Sequence, residues 1–270
     1  MGLAITPLSP HLGAEVRGID LARPVDAATR ERLNRAFVEH SVLAIRGQKL
    51  TPPQLLSAAQ LFGEVFPQHN SRFALADCPL VHYLSNQDFF PDGRRYIPGE
   101  GYHTDHSNDA MPPKATVLHA VQLPDTGGDT QYVNMCLAYD ELPEATRRRI
   151  DGLKAVHVYQ SRHSARKLMG LSAEAQARVP RPSSTRWCAP TPRPAARRST
   201  STRSASTASS AWKKAKRSAC STNCSRTRPR RNTSTAIAGS LATWCYGTTA
   251  ACCTRRTATT TCARCGISTG

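Results

Sequence analysis

The sequence predicts a mainly β domain with flanking helices, a β-sandwich or jelly roll under helical cover, ending near residue 179. Three observations predict it. Short alternating or wholly apolar stretches recur with turn residues between them. Two amphipathic stretches with helix-start signals lie among the first of these. The composition then breaks sharply after Val179.

The elements follow in order. Ile5–Leu12 is a short apolar–polar stretch that ends in turn residues. Gly13–Leu21 alternates as a strand does, and Asp26–His40 is an amphipathic helix with Leu33 and Phe37 on its apolar side. Ser41–Gln48 is a buried strand ended by Gly47. In Thr51–Val65 a capping Thr51, prolines in the first turn and periodic Leu55, Ala58, Ala59 and Phe62 mark a second helix. Leu80–Asn86 is a strand, and Phe89–Gly101 is a polar, Gly- and Pro-bearing loop expected to be mobile. Lys114–Pro124 and Asp129–Met135 are strands around the turn 125–128. Leu137–Leu153 is expected as one helix, and Lys154–Gln160 as a last strand. No internal repeat is visible.

The break at Val179 is chemical. Residues 1–179 carry 19 Lys and Arg against all 19 Asp and Glu, so their net charge is zero. All nine histidines lie there too, the last being His163. Residues 180–270 hold the entire formal charge of +17, no acid and no His. Their aliphatics and Phe amount to Ile237, Leu241 and Ile267, too little apolar area to offset backbone ordering. That segment is therefore expected to be a largely disordered basic tail, with 1–179 the folded part. No apolar run reaches spanning length, and Met1–Pro10 lacks a signal-peptide core. The default is a soluble cytoplasmic protein without membrane partners, so the ten cysteines are not read as a disulfide framework.

The chemistry concentrates in Gly101–Asp109, GYHTDHSND. His103 and Asp105 form an H-x-D pair. On an extended chain positions i and i+2 share a face, so an imidazole and a carboxylate can take adjacent corners of one metal. With a distant His they make the facial triad of non-haem iron oxygenases. Alone the pair is weak, because a surface His and Asp two apart are usually just solvated. The surrounding order adds weight: EHSVLAIRGQ, then LFGEV, then HTD, a Pro-Pro turn, a strand, and TGGDT.

In that order of motifs the first 178 residues or so resemble the taurine dioxygenase family of Fe(II)- and 2-oxoglutarate-dependent enzymes. The resemblance implies a double-stranded β-helix, Fe(II) as cofactor, 2-oxoglutarate as co-substrate, and O2 with a small, anionic organic substrate as partners. It implies oxidative hydroxylation, and homo-oligomers are common among its members. It makes His103 and Asp105 iron ligands and Thr130 a contact of 2-oxoglutarate, though a Thr opening a strand after a hairpin fits that place as well. It makes His69 a substrate contact, with an exposed loop His as the plainer reading, and Tyr102 a pocket-lining aromatic that packing explains equally. His106, His119, His157 and His163 match no ligand position and are read as structural or exposed.

The departure is the second iron histidine, which the tail lacks. Beginning each codon of Leu241–Thr254 one nucleotide earlier permits GDLVLWDNRCLLH, which resembles the family strand leading to that His. Continuing in that frame permits the later Arg for the far carboxylate of 2-oxoglutarate. A frameshift between about Val179 and Ser183 accounts for the tail, and the chain as written is expected to be inactive. The rival is a non-enzymatic binder whose basic, Cys-rich arm takes nucleic acid or zinc. Lys213, Lys214, Lys216 and Arg217 beside Trp212, and the pairs Cys262/Cys265 and Cys220/Cys224, carry that reading. Missing acids and aliphatics fit GC-rich codons out of frame better, so no specific nucleic-acid partner is expected.

Overall fold

The structure is a computed structural model; it describes residues 2–97, 103–109, 112–124, 129–159 and 170–179, with eight further strand segments between 183 and 267 as backbone alone. The chain opens with the antiparallel pair β1 (Ala4–Pro7) and β2 (Ala14–Arg17). Gly18 ends β2 at φ +78°, where a Cβ would also run into the Gly2 carbonyl. Helix α1 (Ala27–His40) starts where the Asp26 carboxylate accepts from Thr29 N at 2.8 Å. Strand β3 (Val42–Arg46) follows and lies parallel to β2. Helix α2 (Pro52–Gln60) begins with Gln54 reaching back to Thr51 N at 2.8 Å.

Next come β4 (Val65–Phe66), a 3-10 turn at Ser71–Phe73, β5 (Ala74–Leu75), β6 (Cys78–Leu84) and β7 (Ala115–Gln122). Then follow β8 (Thr130–Asn134), α3 (Met135–Asp140), α4 (Glu144–Ile150), β9 (Lys154–His157) and α5 (Ala173–Arg178). The single helix expected over 137–153 is thus two. Pro143, which has no N–H to give, sits between them as the residue before α4. In the expected loop 89–101, Phe89 and Arg95 form a β-bridge and the Tyr96 ring stacks on Phe73 at 6.0 Å. The first part of that loop is therefore built, while residues 98–102 lie outside the described residues.

The later strands are β10 (Ser183–Arg186), β11 (Cys188–Pro190), β12 (Arg197–Ser199), β13 (Ser206–Thr207), β14 (Ser234–Ile237), β15 (Ala242–Gly247), β16 (Cys252–Arg256) and β17 (Thr261–Ile267). The large sheet runs β1-β2-β3-β15-β7-β17-β6-β5, with β4 also paired to β17. A second sheet runs β14-β8-β16 and a third β10-β9-β13, and β11 pairs with β12. Here the structure departs from the expectation that the sheet stops at residue 179. Ladder bonds are made by the backbone, which any non-proline residue offers, and the Thr, Cys, Trp and Tyr of 242–247 suit strands.

Alternation along β3 and β7 shows where the core sits. Leu43, Ile45, Ala115 and Val117 join Leu33, Phe37, Leu55 and Phe62 in the helix-side cluster. Val42, Ala44 and Leu118 turn the other way, onto Tyr132 of β8. The large sheet is therefore buried on both faces, between α1 and α2 on one side and the β8 sheet on the other. Gln48 pins the end of β3. Its side chain accepts from Leu21 N at 2.8 Å and donates to the Ile19 and Arg46 carbonyls. No helix among the described residues is long and apolar enough to cross a membrane.

Leu33 is wholly buried in the larger cluster, whereas Val38 of the same helix is exposed. Leu33→Ala is expected to lower stability by about 3 kcal/mol. Val38→Ala should stay within about 0.5 kcal/mol. Urea midpoints of the two variants at unchanged slope check the difference.

Candidate active site and metal-ligating residues

The alternation of β7 also decides which side chains meet. Thr116 falls on the face opposite Ala115 and Val117, so it looks into the sandwich and away from the helices. There its hydroxyl donates to Asp105 Oδ2 at 3.2 Å. The other oxygen, Oδ1, lies 3.4 Å from His103 Nε2. Both side chains are buried, His103 at 5% and Asp105 at 8% exposure. A tight charge-assisted bond would be shorter, about 2.7–2.9 Å. Two ligands each about 2.1 Å from one ion in adjacent corners stand roughly 3 Å apart, so the pair fits two corners of a metal. Among the described residues no third His, Cys, Asp or Glu completes a cluster with them, and the chain carries no His after His163. The pair offers one nitrogen and one oxygen donor side by side in a buried place.

A second constellation lies beside it in the sequence. His69 follows β4, and its Nε2 is 2.9 Å from Asp109 Oδ1. His106 Nδ1 is 3.1 Å from Asp109 Oδ2, and His106 Nε2 is 2.8 Å from Gln68 Oε1. The ligand atoms of His69, His106 and Asp109 all lie within 4.8 Å of one another. His106 reaches inward because its backbone is left-handed, φ +51°, in a turn closed by Asp109 N donating to the His106 carbonyl at 3.0 Å. Burial alone would push the Asp109 carboxyl up. Hydrogen bonds from His106 and His69, with their charge, outweigh that and hold it at about 2.

The residues singled out in the sequence thus fall into separate places. His103 and Asp105 come together. His69 goes to Asp109 and His106. Thr130 opens β8, half-buried, opposite Ile237 of β14 and Arg256 of β16, and none of its described contacts is to His103 or Asp105. Tyr102 and His163 lie outside the described residues. His119 faces the helix side of β7, 3.3 Å from the Gln48 carbonyl, and burial pushes its pKa down. His157 on β9 is buried with no hydrogen-bond partner among the described residues for either ring nitrogen, and burial lowers its pKa as well. Reading His119 and His157 as structural agrees with this. His106 makes its hydrogen bonds inside a polar cluster. Its spacing of three from Asp109 was the available signal. Gln68 and Thr116 gave none, since their roles depend on contacts 38 and 11 residues away.

Comparison with known proteins agrees with this architecture. The model of the "Taurine catabolism dioxygenase TauD, TfdA family" matches residues 4–232, reaching past the point where the motifs run out. An alpha-ketoglutarate-dependent sulfate ester dioxygenase of Pseudomonas putida is 36% identical over 156 residues, 57% of this chain and 49% of that protein. An alpha-ketoglutarate-dependent 2,4-dichlorophenoxyacetate dioxygenase of Cupriavidus pinatubonensis is 30% identical over 168 residues, 58% of each chain. The chain spans about half the length of the curated relatives it matches. In fold it is similar to a taurine dioxygenase from Burkholderia xenovorans, with a TM-score of 0.81 at 22% identity over 99% of this chain and 90% of that one. AAD-2, solved with Mn(II) and N-oxalylglycine, gives 0.80 at 18% identity over 100% and 98%. These solved structures are jelly-roll proteins, and the likeness gives this chain the same fold.

The Asp109 shift has a measurable sign. Its folded pKa of about 2 lies below the 3.8 of a free aspartate, so the carboxylate stabilises the fold above pH 4. That stabilisation, on the order of 2 kcal/mol, fades as pH falls from about 4 to 2. Asp109→Asn is expected to lose it at neutral pH and to flatten the acid limb in that window. Thermal midpoints taken from pH 7 down to pH 2 check this.

Proposed function

The chain belongs to the taurine catabolism dioxygenase TauD, TfdA family, whose members use Fe(II) and 2-oxoglutarate, and from that premise we propose that its fold serves hydroxylation of a small anionic organic substrate. The observation that carries the reading is the buried meeting of His103 and Asp105 at 3.4 Å, with Thr116 holding the second carboxylate oxygen. When bound, Fe(II) with 2-oxoglutarate and O2 supplies the oxidising power that turns a substrate C–H into C–OH, while 2-oxoglutarate loses CO2 and becomes succinate.

The chain's own residues have narrower tasks. His103 and Asp105 offer one nitrogen and one oxygen to the ion. Thr116 donates to Asp105 Oδ2 and Oδ1 is turned to His103, so Oδ1 would be the oxygen offered to an ion held there. Thr130 is proposed to contact 2-oxoglutarate and Tyr102 to face the substrate; His69, whose Nε2 is turned to Asp109, is proposed to border the substrate from within that cluster. An anionic substrate is supported by relatives named for sulfate esters and 2,4-dichlorophenoxyacetate.

Residues 180–270 are proposed to be an out-of-frame continuation of 1–179. The confinement of every acid and every His to residues before 180 supports this, as does the family-like reading one nucleotide earlier. The chain as written then lacks a corner of the iron site and turns over far below ordinary rates. Losing a residue that merely orients a ligand costs about 10–100-fold in affinity or activity, and losing a ligand costs more.

Two measurements test the proposal. Succinate formation from 2-oxoglutarate with Fe(II) is expected to stay at the protein-free background for this chain. It should appear once the frame is restored from residue 180. Ordinary turnover by the unrepaired chain, on the order of 1 per second, overturns it, as does an uninterrupted frame on resequencing the codons for residues 175–185. In the restored chain, Thr116→Val is expected to weaken Fe(II) binding about 10–100-fold with the fold intact. Equilibrium titration with the metal reads that directly.

A further inference from the structure

We propose that His69, His106 and Asp109 form a second metal site, separate from the H-x-D pair, for a divalent first-row ion of the zinc type. The reading stands on geometry and does not depend on the proposed hydroxylation. Two imidazole nitrogens and a carboxylate lie within 4.8 Å of one another, the spread a single ion can bridge. They are also the donor set of three-ligand zinc sites, which leave a fourth position for water. The two histidines approach different oxygens of the same carboxylate, at 2.9 Å and 3.1 Å. His103 and Asp105 stand outside this set.

The surroundings fit a bound ion. His106 Nε2 stands 2.8 Å from Gln68 Oε1, while Nδ1 stands 3.1 Å from Asp109 Oδ2. An ion held by Nδ1 and the carboxylate would leave Nε2 to hydrogen-bond the Gln68 amide. Metal-bound histidines regularly donate their other N–H to a carbonyl or carboxylate, the part Gln68 plays here. The rings are walled by aromatic edges, Phe66 at 5.6 Å from His106 and Tyr159 at 6.4 Å from His69, which limits water. His106 also holds a left-handed backbone conformation uncommon for a side-chain-bearing residue. A bound ion would tie the segment after β4 to the turn that carries His103 and Asp105.

The test is Co(II) and Zn(II) binding by the full chain. Its cysteines, eight of them beyond residue 180, are first alkylated so that thiolates do not compete. One equivalent of Co(II) is expected, with visible absorption of nitrogen–oxygen ligation, displaced by Zn(II). His106→Gln and Asp109→Asn should each weaken it by at least about 10–100-fold. The double variant His103→Ala/Asp105→Ala should keep it. As a second reading, Zn(II) is expected to raise the thermal midpoint of the double variant but not that of Asp109→Asn. Binding lost with the double variant and kept by His106→Gln places the ion at the H-x-D pair and overturns the proposal. No binding by the alkylated chain leaves a hydrogen-bonded His–Asp–His triad and overturns it as well. Failure of the hydroxylation reading would appear only in succinate formation, so the two proposals fail separately.

Discussion

The burial of β7 on both faces is the constraint on which the rest depends. A strand buried on one face can exchange neighbours with little loss. One buried on both must alternate its contacts faithfully, because a slip of one residue would turn Val117 inward and Thr116 toward the helices. The Thr116 hydroxyl would then leave Asp105, and His119 would leave the Gln48 carbonyl. Hydrophobic packing of α1 and α2 thereby sets the position of a polar contact on the opposite side of the sheet. The stability of the core and the geometry of the candidate site have one physical origin.

Two carboxylates in the HTDHSND turn are managed in the same way. Each turns its two oxygens to different partners. Asp105 faces Thr116 with one and His103 with the other, and Asp109 faces His106 with one and both His69 and Asn108 with the other. A buried carboxylate with an idle oxygen would be costly. Dividing the oxygens also fixes the plane of each carboxyl group. The turn is short enough that both planes are set by one backbone path, in which the left-handed His106 separates the two acids.

Much of this was legible in the residues. The caps at Asp26 and Thr51, the stop at Gly47, and the β3, β6, β7 and β8 strands follow from local chemistry, and local chemistry needs no tertiary partner. His103 and Asp105 were legible because their pairing is a matter of two positions on one strand-like path. Pro143 signalled a break in the helix that apolar periodicity obscured. The His69–Asp109–His106 cluster was not legible, since 40 residues separate its ends and no period links them. Nor was the pairing of 242–247 with β3 and β7, because backbone ladders leave almost no mark on composition.

The place of β15 between β3 and β7 carries a consequence for how the polypeptide comes off the ribosome. Its outer neighbours are made early, yet the strand that joins them is among the last to emerge. The middle of the sheet therefore stays open through most of synthesis, and closing it needs contacts between residues more than 200 positions apart, such as Val42 with Tyr246. Such long-range pairing is slow, and strand edges stay unpaired meanwhile. A change confined to residues 180–270 would thus reach back to the oldest of these strands.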